Sequence, residues 1–140
     1  MSFLDNLYKD IILEHYKHPR NRGRLNPATV SGEGLNPSCG DELELFLNLE
    51  EGVISDVKFS GEGCAISQAS ASMMTEAIKG KSLEEALELA GQFKAMIRGE
   101  EPDDALGDLK TLQGISKLHA RVKCATLSWV TLEQALEQAA

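Results

Sequence analysis

Three cysteines and one aspartate are the residues of this chain best suited to do chemistry. Cys39 and Asp41 flank a glycine in the stretch NPSCGDEL, Cys64 follows the tripeptide GEG, and Cys124 follows ARVK. A cysteine in a protein core usually sits in an apolar run and behaves as a small hydrophobe, whereas Cys39 lies in turn-forming sequence next to a charge. Together the four side chains offer three soft sulfur ligands and one hard carboxylate.

A tetrahedral metal site is one interpretation of this set. Thiolates select zinc or iron-sulfur clusters, and a carboxylate adds a harder, weaker ligand. The cysteines are separated by steps of 25 and 60 residues, which match no compact metal-binding motif, so residue types alone leave ordinary buried cysteines as the alternative. A disulfide framework is a poor explanation, because the number of cysteines is odd and a reducing compartment keeps thiols free.

The predicted positions of the cysteines favour the thiolate form, which binds metals. Cys64 and Cys124 are each predicted to open a helix, where backbone amides and the positive end of the helix dipole stabilise a thiolate. Cys39 is predicted to lie in a turn. Gly40 and Gly63, which adjoin Cys39 and Cys64, allow a bulky ligand to approach the backbone.

Length and composition bound the remaining possibilities. The chain has 140 residues, 42% of them hydrophobic, which predicts a single domain over residues 1–140. A net charge of −8 argues against binding DNA or RNA, which requires a basic surface. The apolar stretches are far shorter than the roughly 20 residues of a membrane span, and the start lacks the basic-then-apolar order of a secretory signal. We therefore expect no nucleic-acid partner, no membrane partner and a cytoplasmic location.

Periodicity predicts one helix followed by a small antiparallel sheet. Apolar residues at helical spacing between residues 4 and 16 predict the first helix. Residues 41–63 alternate as a β-hairpin with its turn at residues 51–52, and the stretch from 29 to 34 is expected to pair with it as a third strand. The side chains expected on the apolar faces are Leu4, Leu7, Tyr8, Ile11, Ile12 and His15 in the helix, and Leu43, Leu45, Leu47, Leu49, Val53, Ser55, Val57 and Phe59 in the hairpin. His15 is interpreted as a structural histidine.

Four further helices, one of them short, are predicted after the hairpin. The residues after Gly63 are small or helix-forming, which indicates a helix packed closely on the sheet. Ser82 and Glu85 form a capping box for the next helix, the acidic stretch 100–117 is expected to be a loop with a short helix, and the last helix is expected to start at about Cys124. The apolar stripe of the capped helix is expected to consist of Leu83, Ala86, Leu87 and Ala90.

Five motifs, in a fixed order, carry a resemblance to a known family. They are EHYKHPRNRGRL, NPSCGDEL, FSGEGCAISQASASMM, GKSLEEAL and RVKCATLSW. This series closely resembles the U-type iron-sulfur cluster assembly proteins, the IscU and SufU family, over nearly the whole chain. The resemblance implies an α+β fold, with a small antiparallel three-stranded sheet flanked by helices in a single compact domain.

The resemblance also implies the site and its partners. It assigns the family's metal or cluster ligands to Cys39, Asp41, Cys64 and Cys124, and it implies that the carboxylate of Asp41 leaves more readily than a thiolate when sulfur or a cluster moves on. Zinc or iron is the implied metal, with a two-iron two-sulfur cluster as the alternative cofactor. A cysteine desulfurase is the implied sulfur donor, and apo iron-sulfur proteins or a downstream scaffold are the implied acceptors.

Two departures from the IscU pattern resemble the SufU branch. Lys123 stands where IscU-type members have a histidine, and the connection from about residue 93 to residue 118 is longer. The resemblance implies that SufU-type proteins hold zinc and accept persulfide sulfur, whereas IscU-type proteins build a cluster for delivery. We therefore expect a sulfur acceptor, which would make the chain a zinc-dependent sulfurtransferase. A non-enzymatic cluster scaffold and a structural zinc domain are the alternatives.

Cys39 is the expected sulfur acceptor and hence the expected catalytic residue, because it lies in a turn and not at a helix start. Arg121 and Lys123 have two open interpretations. They either steer the persulfide or the surface of the partner, or they are exposed basic residues with no role in the chemistry.

Overall fold

The computed structural model describes residues 3–139, and within them the side chains of residues 9–139. In chain order the elements are helix α1 (Phe3–Lys17), strands β1 (Val30–Asn36), β2 (Asp41–Glu50) and β3 (Val53–Ser60), helices α2 (Ala65–Ile78) and α3 (Leu83–Ile97), a 3-10 segment (Asp104–Lys117), and helix α4 (His119–Ala139). The predicted α+β architecture is confirmed. The predicted apolar positions Leu4, Leu7 and Tyr8 lie outside the described side chains. Among residues 3–139, no helix combines the length and apolar character that crossing a lipid bilayer requires.

The three strands form one antiparallel sheet in the order β1-β2-β3. Strand β1 confirms the predicted third strand and extends it to Asn36, which pairs with Asp41 at the start of β2. Residues 37–40 form the connecting turn. This pairing sets Asn36 and Asp41 side by side at the end of the sheet, with Cys39 in the turn between them.

The hairpin is confirmed, but the inward face of β3 differs from the prediction. A register shift between Asn48 and Leu49 offsets the alternation where β2 meets β3. Ile54 is fully buried as a result, and the residue expected to point inward there, Val53, is 37% exposed. A β-bulge inserts one residue into the two-residue period, so the side-chain pattern beyond it changes face.

Helix α3 begins with the predicted capping box, since Ser82 and Glu85 bond reciprocally to each other's backbone amides. Its apolar stripe differs from the prediction, because Leu87 is 39% exposed while Leu89 is buried. The buried positions follow the spacing of Ala86, Leu89, Ala90, Phe93, Met96 and Ile97, which keeps to one face of the helix. Leu87 falls outside that face.

Helix α4 begins at His119, and not near Cys124 as predicted. The residues between these two positions include alanine, arginine and lysine and no helix breaker, so the helix extends back as far as His119. It stops there because the backbone of the preceding residue, Leu118, is not helical. Cys124 therefore lies in the second turn.

Helix α4 packs directly on β1. A Cβ atom at Gly34 would clash with Thr131 and lie 3.0 Å from Leu127, and one at Gly32 would lie 3.4 Å from Thr131. The glycines of β1 therefore permit the close approach that brings Cys124 to the end of the sheet.

The structural role predicted for His15 is confirmed. Its side chain is 5% exposed, and its Nδ1 atom lies 2.8 Å from the Ser72 hydroxyl of α2. Ser72 also accepts a hydrogen bond from the backbone N–H of Arg20 at 2.8 Å, so the pair joins α1 and the following loop to α2. Burial, with the positive charge of Arg20, holds the pKa of His15 below its ordinary value despite the carboxylates of Glu76, Asp108 and Glu14.

This lowered pKa predicts a loss of stability in mild acid. The unfolded chain takes up a proton at His15 near pH 6.5, but the folded protein does so only at lower pH, so unfolding becomes easier as the pH falls from about 6.5 through the folded-state pKa. We expect His15→Asn to reduce this loss, which is at most about 1.4 kcal/mol per pH unit for one proton. Urea unfolding at several pH values between 7.5 and 5 would measure it.

The matched control is His18→Asn, which removes an exposed histidine from the same region. The free energy of unfolding of this control should fall with pH by the same amount as that of the parent protein. Equal loss of stability in the parent and in His15→Asn between these pH values would show that another group is responsible.

Candidate metal centre

The candidate centre lies where the β1–β2 turn, the start of α2 and the second turn of α4 meet. Cys39 is in the turn, Asp41 is the first residue of β2, and Cys124 lies on α4. One ligand atom from each of these three residues lies within 4.8 Å of the other two, and the Sγ atoms of Cys39 and Cys124 are 3.1 Å apart. The fold thus brings together three of the four predicted ligands from distant parts of the chain.

Cys64 lies beside this cluster but outside its 4.8 Å limit. It is the N-cap residue of α2, as predicted, and its side chain makes no capping hydrogen bond. Its backbone N–H donates to Asp41 Oδ1 at 2.9 Å, and its thiol adjoins that of Cys124. The Cys64 side chain is therefore next to the centre, with its sulfur uncommitted to the helix start.

The Asp41 carboxylate is buried and held by hydrogen bonds from two directions. Oδ1 accepts from the Cys64 backbone N–H at 2.9 Å and from the Ser67 hydroxyl at 3.2 Å, and Oδ2 accepts from Asn36 Nδ2 at 3.1 Å. Burial alone would raise the pKa of Asp41, but these hydrogen bonds, with one from Cys124, outweigh it and hold the pKa below its usual range. The carboxylate is thus ionised and fixed in orientation by these donors.

Cys124 is fully buried in the second turn of α4. Burial, followed by its contacts with Cys39 and Asp41, raises the pKa of the Cys124 thiol well above its ordinary value. The prediction that a helix start activates this thiol was wrong, because α4 begins five residues earlier. A metal that binds Cys124 must therefore displace its proton.

Cys39 is the least constrained member of the cluster. It is half-buried, and within the described residues its sulfur has two hydrogen-bond contacts, with Cys124 Sγ at 3.1 Å and with the backbone carbonyl of Ala120 at 3.8 Å. A turn residue with so few contacts can move without disturbing a helix or strand.

Two residues that support the centre, Asn36 and Ser67, were missed by the sequence analysis, which noted Gly63 only for its freedom beside Cys64. Asn36 is buried and its Nδ2 lies 3.1 Å from Asp41 Oδ2 and 3.7 Å from Cys124 Sγ, so it spans two candidate ligands. Ser67 reaches the same carboxylate from α2. A Cβ atom at Gly63 would clash with Ser67 Oγ and lie 2.7 Å from Asp41 Oδ1, so a side chain here would displace the carboxylate or its hydrogen-bond donor. The Asn-Pro pair at the start of NPSCGDEL was the available signal for Asn36, since it favours a turn.

Arg121 and Lys123 are both exposed, but only Arg121 is oriented towards the sulfurs. The neighbouring Cys124 thiol, with the charges of Cys64, Cys124 and Cys39, raises the pKa of Arg121 above its ordinary value. Of the two open interpretations, the geometry favours a role near the thiols for Arg121.

The donor set fits a soft or borderline metal ion. Two sulfurs and one carboxylate oxygen converge, a third sulfur adjoins them, and hydrogen-bond donors orient the carboxylate, as supporting residues do in protein metal sites.

Comparison with known proteins gives the family. The family model described as the NifU-like N terminal domain matches residues 7–137. The chain belongs to this family. The identification as a member of the IscU and SufU group of NifU-like domains is therefore confirmed.

Two curated relatives and one solved structure carry the comparison. The chain is 53% identical to the zinc-dependent sulfurtransferase SufU of Bacillus subtilis (strain 168), over 96% of this chain and 94% of that protein. It is 41% identical to the iron-sulfur cluster assembly scaffold protein IscU of Streptococcus pyogenes serotype M1, over 100% of this chain and 89% of that protein. The crystal structure of an iron-sulfur cluster assembly scaffold protein for the SUF system from Fervidobacterium islandicum AW-1 has a TM-score of 0.88 at 41% identity, and the match covers 91% of this chain and 94% of that one.

The contact at Gly63 predicts that this NifU-like domain depends on glycine there. We expect Gly63→Ala to displace Asp41 and to destabilise the metal-free protein by about 1–3 kcal/mol, the usual cost of overpacking. Thermal or urea unfolding in the presence of a chelator would measure the loss.

Gly91→Ala is the matched control, because a Cβ atom at this exposed helical position meets nothing within 4 Å. It should stabilise the protein by about 0.5–1 kcal/mol, since alanine replaces glycine inside a helix. A Gly63→Ala protein as stable as the parent would refute the packing assigned to Asp41.

Proposed function

We propose that this chain is an iron-sulfur cluster biogenesis protein that holds zinc and accepts sulfur from a cysteine desulfurase. The observation that carries the proposal is the convergence of Cys39, Asp41 and Cys124 in a chain 53% identical to a zinc-dependent sulfurtransferase. Cys64 would supply the fourth ligand from its position beside Cys124. When bound, zinc keeps coordinated thiols deprotonated at neutral pH and masks their reactivity.

Cys39 is the residue that we assign to sulfur acceptance. Its few contacts and its place in a turn allow the thiolate to reach a partner, whereas Cys124 is fully buried on a helix. The Cys39 thiolate attacks the outer sulfur of the persulfide on the desulfurase. One sulfur-sulfur bond forms and one breaks, the desulfurase cysteine leaves as a thiolate, and no external oxidant or reductant is needed. In this role the chain is a sulfurtransferase and Cys39 is its catalytic residue.

Arg121 has a supporting part in this proposal. Its exposed guanidinium lies next to the sulfurs, and a cation in that position lowers the cost of bringing a negatively charged persulfide to Cys39. This role depends on position and charge, and Arg121 makes or breaks no bond.

A cluster scaffold is the second candidate function, favoured by the 41% identity to an iron-sulfur cluster assembly scaffold protein along the whole chain. In this case a two-iron two-sulfur cluster would be the cargo, held by the same residues. Both candidate functions require a sulfur donor and an acceptor. We assign a cysteine desulfurase as the donor, apo iron-sulfur proteins or a downstream scaffold as the acceptors, and the cytoplasm as the location.

The ligand assignment predicts a specific pattern of zinc loss. Cys39→Ser, Cys64→Ser and Cys124→Ser should each weaken zinc binding by at least about tenfold, since even a change to a residue supporting a ligand has this effect. Competition with a chromophoric chelator would measure the affinities.

The control for this series is His119→Asn, because His119 is an exposed potential ligand at the start of α4. It should bind zinc like the parent protein. If Cys64→Ser kept its affinity while His119→Asn lost it, the fourth ligand would be the histidine and the assignment of Cys64 would be wrong.

The sulfur-acceptor function predicts that the zinc-loaded chain stimulates its desulfurase. Alanine production from cysteine should rise when the parent protein is added and fall to the basal rate with Cys39→Ser, because the acceptor thiol is gone. Arg121→Gln should retain zinc but lower the stimulation. Trapping the chain with a thiol-alkylating reagent, followed by mass measurement, should find the extra sulfur on Cys39.

The scaffold function predicts the opposite dependence on the metal. A zinc-loaded chain that leaves the desulfurase at its basal rate, together with an iron-loaded coloured chain that activates an apo-acceptor, would reject sulfur acceptance in favour of the scaffold.

A further inference from the structure

A groove with a volume of about 690 Å³ lies among α1, α2, α3 and the 3-10 segment. We call it the acidic groove. None of its lining residues belongs to the candidate metal centre, and its size is within the range of binding sites in proteins. The 3-10 segment forms one wall of the acidic groove through Ala105, Leu106, Asp108 and Leu109.

The floor of the acidic groove is apolar and built from three elements. Met73 and Ala77 come from α2, Leu89 from α3, and Leu106 and Leu109 from the 3-10 segment. Methionine and leucine side chains in such a groove adapt to aliphatic groups of a bound segment.

The rim of the acidic groove carries carboxylates on three of its four walls, the exception being α1, which contributes His15. Glu76 comes from α2, Glu85 and Glu88 from α3, and Asp108 from the 3-10 segment, whereas Lys81 is the one acidic-groove residue with a fixed positive charge. Among the described side chains, neither Glu88 nor Asp108 takes part in an ion pair. The rim thus has negative charge available for a partner.

A buried acceptor in the wall of the acidic groove points the same way. The Oε1 atom of Gln92 is inaccessible to solvent and has no hydrogen-bond partner among the described residues. A buried acceptor without a donor costs free energy, and a rotation of the half-buried Gln92 side chain into the acidic groove would let a donor from a bound molecule recover it. The Gln92 oxygen and the rim carboxylates would be complemented by hydrogen-bond donors of a ligand, and the apolar floor by its aliphatic groups.

We propose that the acidic groove binds a short basic segment of a partner protein. Lysine and arginine combine an aliphatic stem with a cationic donor, so their stems can lie on the floor while their heads reach the rim. The apolar floor spans three elements, so it can also contact apolar residues that lie between the lysines or arginines of a peptide. A simple polyamine has no such residues, so the floor favours a peptide. The proposal goes beyond sulfur acceptance and does not depend on it.

The test uses the full zinc-loaded chain and a fluorescent peptide of leucine and lysine in amphipathic helical order. We expect the peptide to bind, with an affinity that falls as salt rises, and a peptide with glutamine in place of lysine to bind far more weakly. The double variant Glu88→Gln, Asp108→Asn should weaken binding by about three- to tenfold, the sum expected for two exposed ion pairs. Ala105→Arg, which places a cation in the exposed lining, should also weaken it.

The matched control is the double variant Glu33→Gln, Glu137→Gln, which removes the same charge from exposed positions outside the acidic groove. It should bind the peptide like the parent. Backbone amide shifts on titration should map to the elements of the acidic groove. Equal weakening in both double variants, or shifts that map elsewhere, would overturn the proposal. Complete displacement of the peptide by spermidine at the concentration at which spermidine itself binds would also overturn it, in favour of a polyamine site.

Discussion

The structure around the candidate metal centre, at the end of the sheet, depends on the buried carboxylate of Asp41. A carboxylate removed from water costs several kcal/mol unless hydrogen bonds replace its hydration. Here the replacements come from Asn36 on β1, from the backbone N–H of Cys64 and from the hydroxyl of Ser67 on α2. Each of these donors belongs to an element that also carries or adjoins a candidate ligand. Satisfying one charge therefore fixes how β1, β2 and α2 meet, and it does so before any metal binds.

This arrangement divides the four candidate ligands into fixed and movable groups. Asp41 is held by hydrogen bonds at both oxygens, and Cys64 is the N-cap residue of α2. Cys124 is buried on α4, which packs closely on the sheet because β1 has glycines at the contact. Cys39 alone lies in a turn with few contacts. The Cys39 thiol is thus the least constrained of the four candidate donors, whereas the Asp41 carboxylate is held by hydrogen bonds. The proposed acceptance of sulfur needs one position that opens while the others keep their geometry, and the turn is suited to that role.

Local signals in the sequence predicted most of the elements, and the errors occurred where neighbours in space decide the structure. The capping box at Ser82 and the turn before Val53 are encoded within a few residues, so they could be predicted. The register shift at Asn48 depends on how β2 and β3 pair, and it reversed the expected positions of Val53 and Ile54. The start of α4 could not be located from Cys124, because chemistry at a residue says nothing about where a helix begins. Asn36 escaped notice because its role appears only when β1, β2 and α4 are brought together.

The glycines of β1 weaken the sequence signal for a strand, but they are needed for the close packing of α4 on the sheet. Gly32 and Gly34 lower the propensity for a strand, which made this element hard to predict, yet side chains there would push α4 away from the sheet. Cys124 lies on the part of α4 that this close packing positions, only 3.7 Å from Asn36 Nδ2. The distance between the sulfur of Cys124 and the carboxylate of Asp41 is therefore set by backbone packing and not by the flexible side chains themselves. A centre built in this way holds two donors in place and leaves the third, Cys39, in a turn, so the proposed ligand exchange would not require the domain to unfold.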